Sequence, residues 1–366
     1  MVAALAAASV AFLHGGNLVV VDTATHAQRV VMQHAGIGPV RWSGDGRLVS
    51  SGGKIAGGPT LPTAELTWAP TGERAAYLTA AGALYVWTAG SGSRLVAPVA
   101  WGAQATAWSR DGRLAIGRAL CPRRRCGVPT RSEIWIWNGR TLGRRVSLAR
   151  GVGAPEPFAW TADGRVLWWL YPNSSSIASD GVAYYADGKK LATALPHPDY
   201  VDVCGRHLAV AAGGDRNTMH GKSIVFDGRD VSRDRSRSWV SPSCIADGTL
   251  VATADPDDSQ GPWGREHRSV WELLPKKRRL TIPPKGWTDE SPTLLRDGSV
   301  LFVRTRQVAF KHGEQWYATE HGTLELLRHG TLTAIADVTY TANESSGAIG
   351  TYYGHYTWPS RLAVKP

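Results

Sequence analysis

Residues 106–117 read Thr-Ala-Trp-Ser-Arg-Asp-Gly-Arg-Leu-Ala-Ile-Gly, and this stretch decides the fold. An apolar run ends at Trp108, a polar turn carries Asp111-Gly112, and a second apolar run follows. Asp-Gly between two such runs is a strong hairpin signal, because both central residues of the favoured turn adopt positive φ. The stretch therefore predicts two adjacent antiparallel strands joined by a tight turn.

The same phrase recurs along the chain, and its copies are eroded only in part. We assign its recurring residues a structural role, as Trp42, Asp45, Gly46, Trp68, Gly72, Trp108, Asp111, Gly112, Trp160, Asp163, Gly164, Asp247, Gly248, Asp297 and Gly298. Most copies are separated by about 40 to 50 residues, a period typical of propeller blades. A tryptophan that returns once per blade is expected to pack between blades rather than to bind a ligand.

Each interval contains enough apolar runs for one four-stranded antiparallel blade. The interval from Trp42 to Trp68 is short, so a reduced blade is expected there. Three strands precede Trp42 and one, within Tyr352–Val364, follows the last full blade. Their pairing would hide edges that otherwise aggregate. We therefore predict an all-β fold: a single β-propeller domain over residues 9–366 with seven or eight four-stranded blades, six being less expected, closed by pairing of the N- and C-terminal strands.

Composition restricts the function classes without choosing among them. The 366 residues are 43% hydrophobic, which supports a sizeable core, and the formal net charge is +11. The positive charge is grouped in Arg123–Arg125, Arg229–Arg237 and Lys276–Arg279, which we interpret as loops. Such charge favours anionic partners such as nucleic acid, lipid headgroups or cell-wall polymers. The simpler interpretation is a set of solvated loops, because no cluster adjoins a nucleic-acid motif.

The phrase Trp-Ser-x-Asp-Gly-Arg-Leu, followed by an apolar strand, resembles the WD-like repeat of TolB-type β-propellers. The resemblance covers nearly the whole chain as a repeat signature. It implies the propeller fold and, loosely, a role in the cell envelope beside a lipoprotein partner. The chain has no room for the separate N-terminal α/β domain of TolB itself, so the resemblance concerns the propeller part alone.

The cysteines indicate a compartment. Cys121 and Cys126 lie between two strands of one predicted blade, and Cys204 and Cys244 lie near the phrase strands of consecutive blades. We predict structural disulfides among these four, and three pairings stay open. Residues 1–8 resemble the remnant of a secretory signal, although the basic segment is missing. Both features predict an extracytoplasmic, periplasmic or secreted protein, and no run of about 20 apolar residues predicts a transmembrane segment.

Motifs for catalysis, metal binding and cofactors are missing from the sequence. It has no Gly-x-Ser-x-Gly, no His-Glu-x-x-His and no phosphate-binding glycine loop. The acidic run Asp255–Asp258 lacks the spacing of a calcium loop, so a solvated turn is expected there. We therefore assign no catalytic, cofactor-binding or metal-binding residue and expect no cofactor.

Three functions remain open. The leading hypothesis is a non-enzymatic, monomeric binding or scaffold propeller that recognises a protein or an anionic cell-envelope polymer. The second is a hydrolase or lyase acting on a glycan or peptide, with a site assembled at the channel mouth. The third is a nucleic-acid-binding propeller, which rests on charge alone and makes nucleic acid the least expected partner.

Overall fold

The computed structural model describes residues 8–36, 38–120, 129–148, 153–170, 182–194, 200–213, 222–234, 236–256, 267–312, 315–339 and 361–366. The signal-like start before Ala8 lies outside these ranges, as do Cys121 and Cys126. Within them the named elements are β-strands and one short 3-10 helix at Val99–Trp101, so the fold is all-β.

The strands follow one another with short connections. In chain order they are β1 (Ser9–His14), β2 (Asn17–Asp22), β3 (Gln28–Met32), β4 (Val40–Trp42), β5 (Val49–Ser51), β6 (Lys54–Ile55), β7 (Thr67–Trp68), β8 (Arg74–Leu78), β9 (Leu84–Thr88), β10 (Gly92–Ala97), β11 (Ala103–Trp108), β12 (Leu114–Leu120), β13 (Arg131–Trp137), β14 (Leu142–Ser147), β15 (Pro155–Trp160), β16 (Val166–Leu170), β17 (Val182–Ala186), β18 (Lys189–Ala194), β19 (Val201–Cys204), β20 (His207–Gly213), β21 (Lys222–Phe226), β22 (Arg229–Asp230), β23 (Arg237–Cys244), β24 (Leu250–Pro256), β25 (Ser269–Leu274), β26 (Arg278–Arg279), β27 (Thr288–Leu294), β28 (Val300–His312), β29 (Gln315–Arg328), β30 (Thr331–Asp337) and β31 (Leu362–Val364).

These strands form eight antiparallel sheets, the blades of a β-propeller. Blade 1 joins β31 to β1, β2 and β3; blade 2 is β4–β6; and blades 3 to 8 take β7–β10, β11–β14, β15–β18, β19–β22, β23–β26 and β27–β30. Blade 2 has three strands and the other seven have four, so the predicted reduced blade after Trp42 is confirmed. The count is eight, within the predicted range.

Closure by the chain ends is also confirmed. The C-terminal strand β31 pairs antiparallel with β1, with Val10 opposite Val364 and Phe12 opposite Leu362. The fourth strand of blade 1, which lies beside β1, is thus supplied from the other end of the chain. This pairing covers the edge of β1, which would otherwise be a template for aggregation.

The chain forms two compact units. One contains Met1–Val40 and His197–Lys365, and the other contains Arg41–Pro196. In the first unit, Phe12 of blade 1 belongs to the same buried apolar cluster as Val303 and Leu324 of blade 8. In the second unit, Trp160 of blade 5 shares a buried cluster with Ile134 of blade 4. Apolar burial between successive blades therefore holds each unit together.

The phrase turn differs in detail from the predicted hairpin. The N–H of Gly112 donates to the carbonyl of Ser109 at 3.0 Å, and the N–H of Ser109 donates to the carbonyl of Arg113 at 2.8 Å. Positive φ occurs at Gly112 (82°) but not at Asp111. The connection is thus a type I turn closed by a left-handed glycine, and not a two-residue turn with positive φ at both central positions.

Candidate functional site

The phrase tryptophans join neighbouring blades of the second unit. The indole N–H of Trp160 donates to the carbonyl of Ala107 in the preceding blade at 2.9 Å, and the N–H of Trp108 donates to that of Thr67 at 2.8 Å. The N–H of Trp68 donates to the hydroxyl of Ser50 at 3.0 Å. The N–H groups of these three indoles are therefore used in contacts between blades and do not donate to a ligand.

Arginines of the preceding blade complete this contact. Arg74 lies over the ring of Trp108 at 5.1 Å, and Arg113 lies over the ring of Trp160 at 5.0 Å. A Cβ added to Gly112 would lie 2.9 Å from the guanidinium of Arg74. Glycine in the phrase therefore leaves room for this arginine, in addition to adopting positive φ.

The phrase aspartates build the turns. In blade 4 the hydroxyl of Ser109 donates to the carboxylate of Asp111 at 2.5 Å. This hydrogen bond and those from Arg113 hold the pKa of Asp111 below its ordinary value. A carboxylate fixed in this way is an ionised turn residue, not a proton donor at neutral pH.

One disulfide joins consecutive blades of the first unit. Cys204 at the end of β19 is bonded to Cys244 at the end of β23, with a Cα–Cα distance of 5.6 Å. The adjacent Asp202 accepts a hydrogen bond from the N–H of Cys244 at 2.8 Å. Burial raises the pKa of Asp202, and the N–H groups of Cys244 and Val203 offset this only in part. The ends of these two strands are therefore linked covalently and by a hydrogen bond.

Exposed basic residues recur on the outermost strands of the blades, in addition to those in the turns and connections. Six outer strands carry exposed examples, namely Arg29, Arg94, Arg144, Arg145, Lys189, Lys190, Arg229, Arg278 and Arg279. Arg229, Arg278 and Arg279 were predicted in loops but lie on strands, which corrects that interpretation for these three residues. Lys276 and Lys277 lie in the connection before β26, as predicted, and Arg123–Arg125 lies outside the described residues. Charged side chains on an edge strand discourage pairing with another chain, which explains their position.

A buried ionic cluster occupies blades 7 and 8 of the first unit. Arg268, which is 0% exposed, donates to the carboxylate of Asp255, which is 1% exposed. Asp289 accepts two hydrogen bonds from Arg304, at 2.7 and 3.0 Å. The solvated turn predicted at Asp255 is therefore wrong for that residue, because its carboxylate is buried against a guanidinium.

The cluster links the two blades. The N–H of Asp289 donates to the carbonyl of Arg268 at 3.1 Å. Although burial alone would lower the pKa of Arg268, the charges of Asp255 and Glu290 raise it above its ordinary value. Breaking such buried ion pairs is costly, so the cluster is a rigid structural support that stays ionised, and not a proton relay.

Blade 8 differs from the other blades in the length of its central strands. β28 has 13 residues and β29 has 14. β27 pairs with β28 only as far as Thr305, and β30 pairs with β29 only from Thr323. Beyond these points the ladder from Arg306–His321 to His312–Gln315 continues for seven residue pairs. We call residues 306–312 and 315–321 the blade 8 ribbon.

The ribbon extends about 23 Å past the blade, from seven residues at about 3.3 Å each. Among the described residues, no third strand pairs with either of its edges. Val308 on the ribbon is 46% exposed, and at its base Arg306 lies over the ring of Trp287 at 5.1 Å. A two-stranded ribbon alone is marginally stable in water, so this segment is a candidate contact site. The ribbon was not predicted from the sequence, because the residues between Arg304 and Thr323 were not recognised as strand.

The described residues contain no cluster of three or more His, Cys, Asp or Glu side chains suited to a metal ion. They also contain no helix long and apolar enough to cross a membrane.

Comparison with known proteins finds only distant structural similarity. No family model and no curated protein matches the chain. Among solved structures, it is similar to an acylaminoacyl peptidase of Pyrococcus horikoshii at 12% identity and a TM-score of 0.42, over 86% of this chain and 48% of that one. It is similar to a streptogramin B lyase at 11% identity and a TM-score of 0.36, over 80% and 86%. It is similar to AztD of Citrobacter koseri at 10% identity and a TM-score of 0.35, over 91% and 94%.

The chain thus spans about half the length of the peptidase that it resembles. At these identities the similarity carries no argument about activity.

Proposed function

We propose that the protein is an extracytoplasmic β-propeller that binds a protein partner through the blade 8 ribbon. The observation that carries this proposal is a seven-pair ladder that leaves its blade and, among the described residues, has no paired strand on either edge. Unpaired strand edges present rows of N–H and C=O groups that an extended segment of another protein can join.

The base of the ribbon is suited to such a role. Just below it, Asp289 and Arg304 form a bidentate pair. The N–H of Val338 also donates to the carbonyl of Gly322 at 2.8 Å. A rigid base limits the motion of the ribbon and reduces the entropy lost on binding.

One further feature supports an envelope location. The disulfide between Cys204 and Cys244 suits an oxidising compartment. We also propose that the protein is of the TolB-like type, with a role in the cell envelope.

We further propose that residues 9–366 form a single propeller domain and that the protein is a monomer. No described contact favours the hydrolase or lyase, or nucleic-acid binding.

The test is site-specific photo-crosslinking in the native host. A photoreactive residue replaces Val308 on the ribbon and, as the matched control, Leu332 on the outer strand of the same blade. The two positions are 46% and 41% exposed, so accessibility alone would label them equally. We expect one discrete protein adduct from position 308 and none from position 332.

The same experiment separates the other outcomes. An adduct with a glycan or another anionic polymer at position 308 would refute a protein partner. Equal labelling from both positions would show that the ribbon has no special role. No adduct from position 308 would also refute the proposal, provided that the variant accumulates and unfolds like the unmodified protein.

A further inference from the structure

Blade 4 contains a carboxylate, two indoles and a guanidinium in mutual contact. Arg118 donates to Glu133 at 3.0 Å and to the carbonyl of Trp101 at 2.8 Å. Its guanidinium lies 4.7 Å from the ring centre of Trp101 and 5.7 Å from that of Trp135. The indole N–H of Trp135 donates to Glu133 at 2.8 Å. The chain thus supplies its own cation to an aromatic-carboxylate group.

The pKa of Glu133 reflects the presence of this cation. Burial alone would raise the pKa of Glu133. Hydrogen bonds from Trp135, Arg144 and Arg118 more than offset burial and hold the pKa below its ordinary value. The carboxylate is therefore ionised and compensated at neutral pH.

Blade 5 contains a similar group at other strand positions. The indole N–H of Trp169 donates to the carboxylate of Glu156 at 2.7 Å. Phe158 is stacked on Trp169 with ring centres 4.8 Å apart, and Tyr184 meets both rings edge-on at 5.7 Å. Glu156, Phe158 and Trp169 are each partly exposed, whereas Tyr184 is buried. We call these four residues the Glu156 group.

Within the described part of the chain, the Glu156 group has no cation like the one that Arg118 supplies to Glu133. Among the described residues, the indole of Trp169 is the hydrogen-bond donor to Glu156, and no Lys or Arg pairs with this carboxylate. Burial raises the pKa of Glu156, and the hydrogen bond from Trp169 offsets this only in part. An uncompensated, half-buried carboxylate beside aromatic rings favours a cation more than any neutral ligand.

The backbone holds Glu156 in place without a ligand. Pro155 and Pro157 flank it on the edge strand β15, and each proline ring fixes its own φ. The strand lies close against blade 4, because a Cβ on Gly117 would lie 1.9 Å from the carbonyl oxygen of Pro155. A carboxylate presented in this way loses little entropy on binding.

We propose that the Glu156 group binds a guanidinium group presented by another molecule, in the form of an arginine side chain of a protein or peptide. Arg118 in blade 4 is the internal template for the contact: carboxylate hydrogen bonds on one side and an aromatic face on the other. The Glu156 group and the blade 8 ribbon share no residue, so either proposal stands if the other fails.

The test uses the indole resonance of Trp169 in the ¹⁵N-labelled full chain, assigned with Trp169→Phe. A capped Gly-Arg-Gly peptide is titrated against the matched citrulline peptide, which has the same shape without the charge. Glu156→Gln is the test variant, since its amide oxygen still accepts from Trp169, and Glu73→Gln is the control. We expect saturable shifts with the arginine peptide, an affinity about tenfold lower in Glu156→Gln, and no change in Glu73→Gln.

The pH dependence adds a second readout. Because burial raises the pKa of Glu156, affinity should fall on acidification at a higher pH than an exposed glutamate would give. Equal binding of arginine and citrulline peptides would overturn the proposal. So would unchanged affinity in Glu156→Gln, saturation by a neutral saccharide, or no shift of the Trp169 resonance with any probe.

Discussion

Replacing Trp160 with Phe tests whether the phrase tryptophans hold neighbouring blades together. The change keeps an aromatic ring between blades 4 and 5 but removes the N–H that donates to the carbonyl of Ala107. It also gives Arg113 a smaller ring to cover. Trp160 is 9% exposed and Ala107 is 1% exposed, so water replaces the lost donor poorly.

The expected loss of stability is the sum of three terms. A buried carbonyl left without its donor costs about 1–3 kcal/mol. A weaker cation–π contact costs about 0.5 kcal/mol. The smaller ring buries about 40 Å² less apolar surface, or about 1 kcal/mol. Trp160→Phe should therefore lower the free energy of unfolding by about 2.5–4.5 kcal/mol.

The assay is urea unfolding without reductant, followed by circular dichroism, across three matched variants. Trp108→Phe should cost as much as Trp160→Phe, because its N–H also donates to a backbone carbonyl. Trp68→Phe should cost less, since its acceptor is the hydroxyl of Ser50, which can still donate to the carbonyl of Arg41. Equal losses in all three, or losses below about 0.5 kcal/mol, would refute the reasoning.

Two further predictions concern packing and pH. Gly117→Ala should destabilise the protein severely in the same assay, since its Cβ would lie 1.9 Å from a carbonyl oxygen, whereas Gly143→Ala, with nothing within 4 Å, should be nearly neutral; similar effects would contradict this account. Burial acts to raise the pKa of Asp187, but hydrogen bonds from Arg145 more than offset it and lower the pKa, so its contribution to stability is complete above the unfolded pKa of about 4 and is lost as the pH falls through the folded value. Asp187→Asn should therefore lose less unfolding free energy than the parent protein as the pH falls from 5 to about 2, as measured by urea unfolding at each pH. An identical pH profile for the two proteins would contradict this prediction.

Much of the fold could be predicted because the phrase is local. Trp108, Asp111 and Gly112 define the end of one strand, the turn and the start of the next within a few residues. Period and hairpin signals therefore gave the blades and their closure. The contact that makes Trp108 matter, its hydrogen bond to Thr67, joins residues 41 positions apart and follows only from the packed blades.

The candidate sites were harder to predict for the same reason. Asp255 looks like part of an acidic turn until the fold places Arg268 beside it. Glu156 and Trp169 meet across β15 and β16, and neither carries a motif. The blade 8 ribbon left a local signal in strand-favouring types such as Val308, Phe310, Trp316 and Tyr317. Its length is nevertheless unusual for a blade, and strand length is weakly encoded in a sequence.

The distribution of charge distinguishes one segment of the ribbon from six outer strands of the blades. Six outer strands carry exposed Lys or Arg, which discourages strand addition. The ribbon segment Gln315–Thr319 is five residues without a charge and includes Trp316 and Tyr317, types that favour strands. If the basic residues served mainly to attract a polyanion, there would be no reason for one strand edge to be without them. Charge on these six outer strands and its absence from Gln315–Thr319 are both explained if the chain protects those edges and leaves this segment open to a partner.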